Sequence, residues 1–293
     1  MSDVVVIREV GARDGLQSEA PLRVEQRVAL IEALLAAGVR RLEVAAFVSP
    51  KAVPSMSGAA EVVAAVGRPP GVVRAALVPN LRGAELAIDA GMDELTVTIS
   101  ASAAYNEKNV RRTIEESVAE IEHICSSPSI PVDAVISCAF GSPYEGDIEP
   151  ADVAALATRL RAVGVDAVTL ADTTGMATPR RIDDVLDLTG TDVGLHLHET
   201  RGTGLLNLYA GWQRGVRRFD TSVGGLGGSP FAAGAAGNVA TEEAVALFDD
   251  LGVETGLDVG GLIDAALLIE SMLGHDVPSR VAHVGPRSRR ADG

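Results

Sequence analysis

AVTLADTTGMATPRRIDDVLDLTGTDVGLHLHET, residues 167–200, contains one full unit of the architecture. Its β-branched start predicts a strand over Ala167–Leu170. Thr178 is a natural N-cap and Pro179 suits a first helical position, so a helix is expected over Pro179–Leu188. A second short strand, Val193–His196, follows. Two strands joined by a helix are the parallel crossover unit.

Working outward, the same alternation recurs in both directions. Strands are expected at Val4–Val10, Leu42–Phe47, Val72–Val78, Glu94–Ile99, Val132–Cys138 and Arg218–Ser222. The helices between them are expected at Val24–Ala37, Gly58–Val66, Leu81–Ala90, Ile114–Cys125, Ala151–Val163, Gly204–Gln213 and Glu242–Leu251. Gly38, Gly91, Gly164 and Gly215 stand where helices should stop. Eight strand–helix units in 293 residues fit a (β/α)8 TIM barrel of about 250 residues with additions. An open doubly wound sheet is the rival, but the first strand leads into Gly-Ala-Arg-Asp-Gly-Leu-Gln and not a dinucleotide fingerprint. Val259–Leu273 reads as an additional C-terminal helix packed on the barrel or on a partner subunit. The domain division expected is one catalytic domain over 1–274 and a flexible basic tail over 275–293.

Composition narrows the function. Hydrophobic residues are 47% and aromatics 3%, so the core must be aliphatic, with layers of branched side chains expected inside the barrel. Forty acidic against 25 basic residues leave a net charge of −15. That balance excludes a nucleic-acid footprint and disfavours an anionic membrane surface. Two cysteines, Cys125 and Cys138, cannot build a disulfide framework. The N-terminus lacks a signal peptide and no run is long enough to span a membrane, which points to the cytoplasm.

Barrel chemistry sits where strands end at their C-terminal side. The residues there are Arg13-Asp14 and Gln17, Glu43, Asp172, His196-x-His198, and the glycine-rich run from Gly224 to Asn238. His196 and His198, two apart on a strand, point the same way. Asp14 and Asn238 from adjoining strands would complete a divalent-metal shell, with Mg2+ or Mn2+ expected. Hydrogen-bonded rim histidines are the plainer alternative. Arg13 could pair with Glu43 or stabilise an oxyanion. Asp172 could cap its own loop, and Lys51 could meet a phosphate or be solvated.

Several segments together resemble the 3-hydroxy-3-methylglutaryl-CoA lyase family of metal-dependent TIM-barrel lyases and aldolases. They are EVGARDGLQSE (9–19), LEVAAFVSPKAVPSM (42–56), ALVPNLRG (76–83), SCAFGSPYEG (137–146), LADTTG (170–175), HLHET (196–200) and GGLGGSPFAAGAAGNVATE (224–242). The resemblance implies cleavage of a hydroxyacyl-CoA to acetyl-CoA and a keto acid. It implies metal ligands Asp14, His196, His198 and Asn238, with Arg13 steadying an enolate, Glu43 supporting it and Asp172 moving or orienting a proton. Lys51 becomes a candidate CoA contact. Ser229 stands where the family has its general-acid cysteine, and an alcohol is a far weaker acid than a thiol of pKa about 8.5. Ser142, Ala46 and Glu199-Thr200-Arg201 are further departures. The expected partners are a small acyl-CoA or keto-acid substrate and further copies of the chain. The alternative function is an aldolase or condensing enzyme acting on a hydroxy-keto acid without CoA.

Overall fold

The computed structural model describes residues 3–126, 130–228 and 237–287. Eight parallel strands close on themselves in chain order: β1 (Val6–Glu9), β2 (Arg41–Ala46), β3 (Val73–Leu77), β4 (Glu94–Ser100), β5 (Val132–Ser137), β6 (Ala167–Ala171), β7 (Gly194–His196) and β8 (Arg218–Thr221). Closure is made by β1 on β8, in register from Val6 opposite Arg218 to Glu9 opposite Thr221. The outer ring is α1 (Val24–Ala36), α2 (Ala59–Val66), α3 (Leu81–Asp89), α4 (Ala103–Val110), α5 (Ile114–Ser126), α6 (Pro150–Ala162), α7 (Pro179–Thr189), α8 (Gly204–Arg214) and α9 (Thr241–Asp250). The expected (β/α)8 barrel is the observed fold, and α10 (Val259–Leu273) is the additional helix. Asp258 caps α10 by accepting from the Gly260 and Gly261 amides. None of the described helices is long and apolar enough to cross a membrane.

Two expectations need correction. Branched aliphatics do not fill the lower barrel. They line the outer faces of the strands, where Leu42, Val44, Leu95, Val97, Ile99, Ile136, Leu170, Leu195 and Phe219 pack against the helices. The interior instead holds ions. Arg8 on β1 forks onto Asp220 of β8 and crosses to Asp133 of β5 at 2.6 Å, with Glu94 of β4 at 3.6 Å. A contact between β1 and β5 of a closed eight-strand barrel must run through its centre. Alternation explains the arrangement: along β4, Glu94, Thr96, Thr98 and Ser100 share the face opposite to Leu95, Val97 and Ile99.

The second correction concerns the C-terminus. The sequence reads 275–293 as a flexible basic tail, yet Val277, Ser279 and Ala282 are buried. Ser279 N donates to Gly224 O at 3.1 Å, and Ser279 caps a short helix, α11 (Arg280–Val284). Residues 288–293 lie outside the described residues.

Candidate active site at the C-terminal rim

β1 ends in a single wide turn, Gly11–Gly15, in which the Asp14 and Gly15 amides both return to Val10 O. That turn lifts Arg13 and Asp14 over the barrel mouth. β2 carries a bulge between Glu43 and Ala45, a device that re-aims side chains at rims. Glu43 is fully buried and accepts from Arg13 Nε at 2.7 Å. Arg13 Nη1 donates to Asp14 Oδ1 at 2.7 Å. Burial works against the Arg13 charge, but Glu43 and Asp14 outweigh it and raise its pKa. Of the plain alternatives, the Arg13–Glu43 pair is therefore realised, at the base of the site.

β7 delivers His196, and His198 follows two residues later. Their Nε2 atoms face each other at 3.2 Å, and His196 Nε2 lies 3.9 Å from Asp14 Oδ2. One donor atom from each of Asp14, His196 and His198 falls within 4.8 Å of the others. Asn238 joins them by donating from Nδ2 to Asp14 Oδ2 at 2.8 Å and to Leu226 O at 3.0 Å. Its Oδ1 is buried without a hydrogen-bond partner. Burial opposes ionisation of Asp14, yet Arg13 and His196 hold its carboxyl down at about 2. Burial and the neighbouring imidazolium-forming His196 drive His198 down to about 4, so its ring is neutral at pH 7. An ionised carboxylate, two imidazole nitrogens and an orphaned amide oxygen form a donor set that fits a divalent cation.

Gly227 passes directly over this cluster. Its φ is +103°, and a Cβ there would stand 2.5 Å from Asn238 Nδ2 and 3.1 Å from Asp14 Oδ2. Only glycine both adopts that backbone and leaves room for the two side chains.

Asp172 follows β6 and is buried. Its Oδ1 accepts from Ala177 N at 2.9 Å, so it does cap its own loop, while Oδ2 has no partner. Burial pushes its carboxyl up to about 7, a value suited to giving and taking protons near neutrality. Lys51 lies exposed on the loop after β2. Ser229 lies outside the described residues. Ser142 is a buried loop anchor, hydrogen-bonded through its hydroxyl to Ser102 Oγ at 2.9 Å and accepting from Tyr144 N at 3.2 Å.

The sequence reading missed residues that hold these groups in place. Arg201 Nη1 donates to Thr174 O and Gly175 O at 2.8 and 2.7 Å, pinning the loop that carries Asp172. Asp220 sits behind His196. Glu9 accepts from Gly11 N at 2.7 Å and Val223 N at 2.9 Å, tying the Arg13 turn to the glycine loop. A charged residue alternating with apolar ones inside a short strand was the available signal.

Glu242 supports the same loop by accepting from Gly224 N at 3.1 Å. Burial, with Glu9 adding repulsion, pushes its carboxyl from 4.5 up to about 7. The folded protein therefore holds this proton more tightly than the unfolded chain. The resulting stability is present at low pH and is lost as pH rises through about 7. Glu242→Gln has no proton to lose. Its melting temperature relative to the unsubstituted protein is expected to be higher at pH 8 than at pH 5. Calorimetric melts at both values check the sign, and an equal gap would exclude the effect.

The HMGL-like family model matches residues 4–269. A 3-hydroxy-3-isohexenylglutaryl-CoA/hydroxy-methylglutaryl-CoA lyase of Pseudomonas aeruginosa is 40% identical, over 94% of each chain. An (R)-citramalyl-CoA lyase of Chloroflexus aurantiacus is also 40% identical, over 97% of this chain and 96% of that one. Among solved structures, an HMG-CoA lyase of Acinetobacter baumannii in complex with coenzyme A and 3-methylmalate superposes with a TM-score of 0.94 at 38% identity, covering 99% and 98% of the two chains.

Proposed function

Because the chain belongs to the HMGL-like family, we propose that it is a divalent-metal-dependent carbon–carbon lyase. Its substrate is 3-hydroxy-3-methylglutaryl-CoA or a related 3-hydroxyacyl-CoA, and its products are acetyl-CoA and a keto acid, acetoacetate for the first substrate. The observation that supports this best is the convergence of Asp14, His196 and His198 on one point beside Arg13. Asp14, His196, His198 and Asn238 would hold the cation, and their mix of two oxygens and two imidazole nitrogens suits Mn2+ and admits Mg2+. When bound, the cation supplies Lewis acidity that lowers the pKa of the substrate's tertiary hydroxyl.

The protein's own residues then divide the work. Asp172, its carboxyl near 7, accepts the hydroxyl proton. The C–O bond becomes a carbonyl as the C–C bond breaks, and that electron pair stays on the carbon α to the thioester and delocalises onto its oxygen as an enolate. Arg13, locked by Glu43, places a fixed positive charge where the enolate oxygen develops. Protonation of the enolate carbon yields acetyl-CoA, with Ser229 and a water as the relay. Lys51 is the candidate contact for CoA phosphates. A cytoplasmic homo-oligomer completes the reading.

The test is release of acetyl-CoA from the coenzyme A thioesters of 3-hydroxy-3-methylglutarate, 3-hydroxy-3-isohexenylglutarate and (R)-citramalate, with metal stripped by chelator and then restored. Turnover that requires added Mn2+ or Mg2+ is expected. No turnover of any of these thioesters with metal present would overturn the proposal. If the alcohol limits the proton return, Ser229→Cys should raise kcat on 3-hydroxy-3-methylglutaryl-CoA. Unchanged kcat would remove Ser229 from the relay.

A further inference from the structure

The direction in which His196 points its ring is set outside the cluster it joins. Its Nδ1 lies 3.2 Å from Asp220 Oδ2. Asp220 is gripped at both oxygens by one guanidinium, Arg8 Nε at 2.8 Å and Nη2 at 2.6 Å. The third arm of Arg8 donates to Asp133 Oδ2 at 2.6 Å, and Thr169 Oγ1 donates to the same oxygen at 2.9 Å. His196, Asp220, Arg8, Asp133 and Thr169 thus form one hydrogen-bonded row from β7 through β8 and β1 to β5 and β6. All five are buried.

A guanidinium fork on a carboxylate admits essentially one planar arrangement. An ionised carboxylate can only accept, so the hydrogen of a neutral His196 ring must sit on Nδ1. The lone pair is then on Nε2, the atom that faces His198 Nε2 and Asp14 Oδ2. The geometry points to Asp220 as a positioning residue, braced across the barrel by Arg8 and Asp133, that fixes His196 in its Nδ1–H form and so presents Nε2 as a metal ligand. This rests on the metal reading given above. A carboxylate behind a ligating imidazole orients the ring and raises its basicity, and removing such a partner costs about 10–100-fold in metal affinity.

Asp220→Asn puts an amide N–H where only acceptors stood, opposing either Arg8 or His196 Nδ1. Titration calorimetry with Mn2+ is expected to show a Kd weakened by about 10–100-fold, with the folded circular dichroism spectrum retained. Long-range 15N–1H NMR on histidine-labelled, metal-free protein, recorded at alkaline pH where the His196 ring is neutral, reports the tautomer directly, with His196 assigned by its loss in His196→Gln. The unsubstituted protein should show Nδ1–H, and Asp220→Asn should shift the population toward Nε2–H. A buried charge that merely supports packing would move neither readout. Unchanged Mn2+ affinity in folded Asp220→Asn overturns the proposal, as does an Nε2–H ring in the unsubstituted protein. The latter measurement stands even if the variant does not fold. Failure of the unsubstituted protein itself to bind Mn2+ or Mg2+ would count against the metal site, and the tautomer would still decide the role of Asp220.

Discussion

Arg13→Met is expected to reduce kcat by about 10²–10³-fold, the loss typical of deleting one preorganised donor to a developing oxyanion. Arg13 is 7% exposed and held from both sides, by Glu43 beneath and Asp14 beside it. Its guanidinium is therefore held in place in the free protein, and its contribution is expected to be larger to the enolate than to the ground-state carbonyl. The loss should fall mainly on kcat, with KM changing less. Methionine also leaves Glu43 buried without its cation, so a lower melting temperature accompanies the kinetic effect. Arg13→Lys keeps the charge but cannot form the fork, and it should recover stability better than rate. Steady-state kinetics with melts of both variants check this. A kcat within threefold of the unsubstituted protein for Arg13→Met would remove Arg13 from the chemistry.

The second large effect is on metal retention. His198→Ala should weaken Mn2+ binding by more than about 100-fold, beyond the range seen for residues that only support a ligand. The His198 ring is buried, neutral at pH 7 and faces His196 Nε2, so alanine removes a ready ligand and little else. Metal analysis of purified protein and Mn2+ titration measure it directly. Turnover should fall to background at micromolar Mn2+ and recover in part at millimolar Mn2+. Retention of tight, stoichiometric metal by His198→Ala would show that the cluster is not the metal site.

Much of this molecule could be read before its fold was known. The helix stops at Gly38, Gly91, Gly164 and Gly215 and the Thr178-Pro179 start are local signals, and local chemistry fixed them. The His196–His198 spacing needed only the two-residue strand period. Other features depend on closure. Asp14 and Asn238 are 224 residues apart and meet only because β1 adjoins β8. Arg8 and Asp220 lie within strands and have no short-range partner that would mark them, so the polar interior was misread as aliphatic layers. α4 escaped because AAYNEKNV is short and polar, and it depends on Ser102 accepting from Tyr105 N at its start. Residues 275–284 read as a basic tail because their anchors, such as the Arg280 N–Glu243 hydrogen bond, are made with distant residues.

The ion row through the barrel has a consequence for how the chain reaches its native state. Arg8 precedes in the chain all of the acids it contacts, which follow in order on β4, β5 and finally β8. Withdrawing that guanidinium from water before Asp220 is available is costly. Full burial of Arg8 is therefore favourable only with β8 in place beside β1. Barrel closure and the pairing of Arg8 with Asp220 are one event. The candidate site forms with it, because Asp14 and His196 come together only when β1 and β8 pair.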